Sequence, residues 1–223
     1  MDTVRIIEVK QSIFADNDAD AQKLRDELKG KGTFLLNLMS SPGAGKTTLL
    51  TKVINILKEE YSIAVMEADI DSDVDALTIA NQTGVDSIQL HTGGMCHLDA
   101  DMTRQGVRQL GDKHYDLIVL ENVGNLVCPA EFDTGASMNM VILSVPEGDD
   151  KPLKYPLMFT ICDLVVINKI DVKPYFTFDA DKCRGYISMR NEKADVLEVS
   201  ALSGDGVAEV ASYIKDKIDE WKK

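Results

Sequence analysis

The hydrophobic positions of the chain form short apolar runs that alternate with segments of helical spacing. Strands that are covered by helices on both faces are apolar along most of their length, so these runs predict buried strands. Five such runs lie at 34–39, 62–68, 116–122, 138–145 and 163–169. A weaker run at 194–200 is expected to complete the same sheet.

Helix-forming residues occupy the segments between and around these strands. Helices are predicted at 16–30, 49–60, 73–83, 99–111 and 205–222. Alternating strands and helices predict an α/β doubly wound fold, a mainly parallel sheet flanked by helices. We expect a single domain over 1–223, with an N-terminal helical extension at about 1–32.

Composition limits the class of protein and its partners. The chain has 24 basic and 37 acidic residues and a formal net charge of −13. This charge argues against a broad nucleic-acid-binding surface, because phosphate contacts need Lys and Arg. No run approaches the roughly 20 apolar residues that cross a bilayer, and the first residues lack a secretion-signal pattern. We therefore expect a cytoplasmic protein with neither a membrane nor a nucleic acid as partner.

A glycine loop follows the first predicted strand. Ser40 to Thr47, in SSPGAGKT, fit G-x-x-x-x-G-K-[ST], except that Ser40 stands where the first Gly is usual. The glycines let backbone N–H groups converge on phosphate oxygens at a helix N-terminus. Lys46 is expected to reach the β- and γ-phosphates, and the Thr47 hydroxyl to bind Mg²⁺. The predicted phosphate-binding residues are Gly43, Ala44, Gly45, Lys46, Thr47 and Thr48.

A second motif lies at the end of the strand predicted at 163–169. Asn168, Lys169 and Asp171 form N-K-x-D. The Asp171 carboxylate can accept two hydrogen bonds and so matches the N1–H and N2–H₂ donors of guanine, whereas adenine presents an acceptor at N1. GTP and GDP are therefore favoured over adenine nucleotides. We expect the Lys169 stem to lie along the base and the Asn168 amide to join neighbouring loops.

A GTPase also needs a carboxylate near Mg²⁺ at the end of a strand beside the phosphate loop. Glu121 ends the strand predicted at 116–122, three residues before Gly124, whose N–H is expected near the γ-phosphate. No Gln follows Gly124 as in signalling GTPases, so we expect slow intrinsic hydrolysis. We assign catalysis to Lys46, Asp69 and Glu121.

Asp69 belongs to an acidic segment, EADIDSDVDA, at 67–76. Because Asp69 directly follows a buried strand, we assign it to the nucleotide site or the Mg²⁺ shell. Asp71 and Asp75 are candidate switch residues. A solvated acidic loop that leads into a helix remains the alternative, and it accounts best for Asp73 and Asp75.

A candidate metal site combines two cysteines and a histidine. Cys96 and His97 are adjacent in HTGGMCHLDA, and Cys128 follows in ENVGNLVCP. Two thiolates and an imidazole suit Zn²⁺ or Ni²⁺. The fourth position is open to water, or two chains can pool their ligands across a two-fold axis. Cys128 lies only four residues after Gly124, so nucleotide state has a route to the metal.

Two other interpretations of these residues stay open. Free Cys is often a buried small hydrophobe, which is our assignment for Cys162 and Cys183. A Cys–His nucleophile pair is the other, although adjacent residues are poorly placed to act as nucleophile and base.

The combined motifs carry a family resemblance. The phosphate loop, N-K-x-D and S-A-L at 200–202 resemble P-loop GTPases of the SIMIBI type, in which the residue matching Ala201 places its N–H near guanine O6. GGMCHLDA with ENVGNLVCP resembles the HypB family of hydrogenase nickel-incorporation GTPases, over essentially the whole chain.

The resemblance implies a homodimer in the GTP state, with a Ni²⁺ or Zn²⁺ site at its interface formed by Cys96, His97 and Cys128. It also implies delivery of nickel to the [NiFe]-hydrogenase large subunit and a HypA-type nickel and zinc protein as partner. Many relatives carry a further N-terminal Cys-rich or His-rich nickel site. This chain starts MDTVRIIEVKQS and has three histidines, so we expect the interface site alone.

We therefore predict a GTP-hydrolysing metallochaperone for nickel insertion, in which nucleotide state governs dimerisation and metal binding or release. A P-loop kinase is one alternative, and preference for ATP would favour it. A metal-binding scaffold with vestigial GTPase activity is a second alternative, and its metal affinity would not change when GTP binds. A GTPase chaperone for another metal or cobalamin enzyme would have no need of the cysteine and histidine ligands.

Overall fold

The computed structural model describes residues 5–8, 17–69 and 74–223, with side chains from residue 17 onward. Its strands are β1 Arg5–Glu8, β2 Phe34–Ser40, β3 Ile63–Asp69, β4 Asp86–His91, β5 Leu117–Glu121, β6 Met138–Ser144, β7 Leu164–Asn168 and β8 Asp195–Glu198. They form one sheet in the order β1-β4-β3-β5-β2-β6-β7-β8, and every pairing is parallel. The predicted α/β fold class is confirmed.

Eight α-helices lie in the described part of the chain. They are α1 Asn17–Gly30, α2 Lys46–Leu57, α3 Val74–Thr83, α4 Ala100–Gln109, α5 Lys151–Lys154, α6 Pro156–Ile161, α7 Ala180–Ser188 and α8 Val207–Trp221. None of them has the length and apolar character that spanning a bilayer requires.

The N-terminal extension differs from the helical segment expected at about 1–32. It contains α1, and it also contains β1, which pairs with β4 at the edge of the sheet. The four residues of β1 are too short a run to show a period, which is why the pattern missed it.

Apolar side chains cover both faces of the sheet. On one face, α2, α3 and α8 pack over β2, β3 and β5, with Ile54, Ile79 and Ile214 fully buried. On the opposite face, α1 and α4 cover one half of the sheet through Leu24 and Met102. Since all strands are parallel, their carboxyl ends meet at one edge, and the loops after β2, β3, β5 and β7 converge there.

Candidate functional site

The phosphate loop links β2 to α2 in a conformation that needs glycine. Gly43 and Gly45 have φ angles of 76° and 96°, in the left-handed region. A Cβ on Gly45 would also lie 2.6 Å from Nδ2 of Asn168. Both positions therefore require glycine for backbone conformation, and Gly45 requires it for space as well.

Asn168, at the end of β7, joins three loops. Its Nδ2 donates to the carbonyl of Ala44 at 2.9 Å, and its Oδ1 accepts from the N–H groups of Ala201 at 3.0 Å and Lys169 at 2.8 Å. Asn168 is buried, so these bonds are shielded from water. The Ala201 N–H, which the family resemblance assigns to guanine O6, is thus already bonded to a side chain.

Lys169 and Asp171 flank the same pocket. Lys169 has φ 63° and its Nζ donates to the Gly43 carbonyl at 2.6 Å. One oxygen of Asp171 accepts from the Ser200 hydroxyl at 2.6 Å. The structure therefore brings the phosphate loop, N-K-x-D and S-A-L side by side, although they are far apart in the chain.

The start of α2 meets a group of carboxylates. Lys46 Nζ lies 3.8 Å from Glu121 Oε1, and the Thr47 hydroxyl donates to Asp75 Oδ1 at 3.1 Å. Glu67 pairs with Glu121 in register across β3 and β5. Carboxylate oxygens of Glu67, Asp75 and Glu121 lie within 4.8 Å of one another.

Burial dominates the electrostatics of this group. It raises the pKa of Glu67 to about 8, with added repulsion from Glu121 and Asp75, and it raises the pKa of Glu121 to about 7 although Lys46 opposes the shift. Oε2 of each glutamate is buried without a hydrogen-bond partner. Clustered oxygen ligands with unmet bonding capacity fit a hard divalent cation such as Mg²⁺.

Glu67 begins the acidic segment at 67–76, in which Asp69 is the residue assigned to the nucleotide site or the Mg²⁺ shell. The three-carboxylate group contains Glu67 and Asp75 of this segment. The available signal was a lone Glu inside the apolar run that forms β3. The assignment of Asp69 to the Mg²⁺ shell stays a prediction, and Asp71 lies outside the described residues.

The loop after β5 connects this group to the cysteines. Gly124 lies against the phosphate loop. A Cβ added to it would lie only 3.3 Å from Cγ of Pro42. Four residues further on, Cys128 begins a short 3₁₀ helix, Cys128–Ala130. A chain segment of only a few residues therefore joins the phosphate loop to a thiol.

Cys96 and Cys128 lie together. Both are half-buried, and a hydrogen bond between their side chains is the main cause of a raised pKa of Cys96. Gly93 and Gly94, with φ angles of 64° and 96°, shape the loop that carries Cys96. The two thiols predicted to share a metal are thus neighbours in one chain.

His97 does not join the two thiols in a single chain. Its ring is buried and stacks on Phe132, with centroids 3.9 Å apart and planes 4° from parallel. Burial lowers its pKa, and neither ring nitrogen has a hydrogen-bond partner. Within the described residues, Glu67, Asp75 and Glu121 are the only group of three potential ligands. In one chain the two thiols are neighbours and the His97 ring lies apart from them, so a metal site formed by Cys96, His97 and Cys128 stays a prediction.

Comparisons with known proteins agree with this geometry. Residues 34–198 match the family model described as CobW/HypB/UreG, nucleotide-binding domain. The chain is 46% identical to hydrogenase maturation factor HypB of Azotobacter chroococcum mcd 1, over 95% of this chain and 69% of the relative. It is 40% identical to HypB of Escherichia coli strain K12, over 95% and 72% of the two chains.

Solved structures give the same result. HypB from Helicobacter pylori in complex with nickel superposes with a TM-score of 0.87 at 35% identity, covering 92% of this chain and 96% of that one. HypB from Archaeoglobus fulgidus superposes with a TM-score of 0.84 at 34% identity, covering 92% and 100%. The chain therefore belongs to the HypB family of hydrogenase maturation factors, which are P-loop GTPases.

Proposed function

We propose that this protein is a nickel metallochaperone for [NiFe]-hydrogenase maturation, in which GTP binding and hydrolysis govern dimerisation and the binding or release of the metal. The observation that carries this proposal is the segment after β5. It follows Glu121, which lies beside Lys46. It then passes Gly124, which lies against the phosphate loop, and reaches Cys128, which is a neighbour of Cys96. A change at the γ-phosphate thus has a short covalent route to the thiols.

GTP binds through the loops that Asn168 joins. Backbone N–H groups of Gly43, Ala44, Gly45 and Thr48 take the phosphate oxygens, and Lys46 offsets their charge. Lys169 and Asp171 hold the guanine base. The Ala201 N–H bonds to Asn168 and would be shared with guanine O6 as a three-centre hydrogen bond.

The Thr47 hydroxyl, together with Glu121 and Asp69, would hold Mg²⁺ beside the phosphates. When bound, this ion supplies positive charge that neutralises the β- and γ-phosphate oxygens. Lys46 adds a second positive charge on the same oxygens. Asp75 accepts a hydrogen bond from the Thr47 hydroxyl, so it orients that hydroxyl toward the cation.

Nickel is the cargo of this reaction. Cys96 and Cys128 supply two soft donors, and His97 supplies an imidazole once its ring turns away from Phe132. Two chains that pool these ligands across a two-fold axis form the site in the GTP-bound homodimer. A HypA-type nickel and zinc protein and the hydrogenase large subunit are the partners, and Zn²⁺ competes with Ni²⁺ for the same ligands.

Nickel transfer to a purified large-subunit precursor tests this function. With GTP, the wild-type protein should load the precursor with nickel, and Lys46→Ala should not, because the loss of the lysine ammonium weakens phosphate binding. Lys58→Ala is the matched control, since Lys58 lies just after the same helix and donates to the Thr83 carbonyl. Equal loading by the wild type and Lys46→Ala would contradict the proposal.

A further inference from the structure

Glu67 is a buried carboxyl group that the nucleotide-binding motifs do not use. Only 3% of the residue is exposed. One carboxylate oxygen accepts a hydrogen bond from the backbone N–H of Ala76, whereas Oε2 is buried without a partner. Buried carboxylate oxygens are almost always bonded, so the unmet oxygen indicates a ligand that this site receives.

The bond to Ala76 fixes the start of α3. Asp75 precedes Ala76 in the first turn of this helix and accepts from the Thr47 hydroxyl, which belongs to the phosphate loop. Glu67 therefore holds in place the turn that carries Asp75 to Thr47. One oxygen of Glu67 is therefore bonded to the helix, and the other has no hydrogen-bond partner.

The Glu67 carboxyl belongs to the carboxylate group beside Lys46. Glu67 and Glu121 are directly paired across β3 and β5, and both lie within 4.8 Å of Asp75. Lys46 is 3.8 Å from Glu121. Burial raises the pKa of Glu67, and the neighbouring carboxylates raise it further. One ammonium does not offset the repulsion among three ionised carboxylates, so a bound divalent cation would favour their ionised form.

We propose that Glu67 is a positioning residue for the Mg²⁺ shell, which links the cation to the first turn of α3. Its unpartnered oxygen accepts from a water bound to the cation, and its other oxygen keeps Asp75 against Thr47. This role rests on the proposed function as a Mg²⁺-dependent GTPase. It makes β3 the element that transmits the presence of the cation to α3.

The test is the Mg²⁺ dependence of GTP binding in the full chain, measured with a fluorescent GTP analogue in EDTA and at increasing Mg²⁺. Glu67→Gln keeps the shape of the side chain and removes its charge. The Mg²⁺ concentration for half-maximal tightening should rise by about 10- to 100-fold, as expected for a partner of a metal-bound group. Binding in EDTA should stay within about twofold of the wild type, because Glu67 does not contact the nucleotide.

Gln89→Leu separates charge from packing. Gln89 is fully buried and pairs with Glu67 across β3 and β4, and its amide has no partner. This variant should keep the wild-type Mg²⁺ dependence. An equal shift in Gln89→Leu would overturn the role of Glu67, because disturbed packing would then explain both. If Glu67→Gln does not fold, Glu67→Asp replaces it and should give a smaller shift in the same direction.

The wild-type titration separates two failures. If the GTP affinity of the wild type does not depend on Mg²⁺, both the proposed function and this role are contradicted. A wild type that responds, with Glu67→Gln responding at the same concentration, would overturn only the role of Glu67.

Discussion

Single residues decide how the nucleotide and metal sites are built. The phosphate loop and N-K-x-D could be predicted because each motif is a local pattern whose chemistry depends on a few adjacent residues. The orientation of His97 could not, because Phe132 holds its ring and lies far from it in the chain. The role of Glu67 was missed for a related reason, because it depends on the pairing of Glu67 with Glu121 across two strands.

Cys128→Ser tests the metal ligands at this scale. A hydroxyl is a harder and weaker ligand than a thiolate, so Ni²⁺ affinity should fall by about tenfold or more, which corresponds to about 1.4 kcal/mol. GTP affinity should be unchanged. Equilibrium titration with Ni²⁺ and with a fluorescent GTP analogue measures both.

The matched control removes a thiol that has another role. Cys183 lies on the buried side of α7 and is not in the Cys96 loop. Cys183→Ala should retain wild-type Ni²⁺ affinity. Equal Ni²⁺ affinity in Cys128→Ser and the wild type would exclude Cys128 as a ligand.

Whole elements were predictable where their patterns were long. The central strands β2, β3, β5, β6 and β7 are apolar runs, and each was expected within one or two residues of its observed bounds. β4 was missed because Gln89 interrupts its apolar run, and α5 and α6 were missed because both are short. Local patterns therefore locate strands with uninterrupted apolar runs better than interrupted strands or short helices.

The docking of α1 onto the loop after Cys128 gives a prediction at this scale. Gly135 has φ 76°, and a Cβ there would lie 3.0 Å from the Ala21 carbonyl oxygen of α1. Gly135→Ala should lower the free energy of unfolding by about 2 to 4 kcal/mol, from left-handed strain and overpacking together. Urea denaturation measures this loss.

Gly111→Ala is the control for strain alone. Gly111 has φ 82°, and an added Cβ would meet nothing within 4 Å. This variant should lose only about 1 to 2 kcal/mol. Equal losses in the two variants would show that contact with α1 adds nothing to the stability of the loop.

At the scale of the molecule, buried carboxyls link stability to pH. The pKa of Glu67 rises from 4.5 to about 8 and that of Glu121 from 4.5 to about 7 on folding. The folded state therefore holds protons that the unfolded chain releases, so stability decreases as pH rises toward 8. His97, whose pKa is lowered from 6.5, has the opposite effect below that pH.

The free energy of unfolding should therefore fall most clearly between pH 6.5 and about 8, in protein free of nucleotide and divalent cation. Urea denaturation at a series of pH values checks it. Glu67→Gln should show a shallower fall, and saturating Mg²⁺ with a GTP analogue should reduce the fall in the wild type. Stability that is constant or rises across this range would contradict protonated buried carboxyls in the folded protein.

The central claim is that nucleotide state controls the metal site, and Ni²⁺ affinity measured with GDP and with a non-hydrolysable GTP analogue tests it most directly. Affinity should be higher with the analogue, because the dimer pools ligands from two chains. A difference of about 5- to 150-fold is the usual range for coupled sites. The same Ni²⁺ affinity in both nucleotide states would contradict the account.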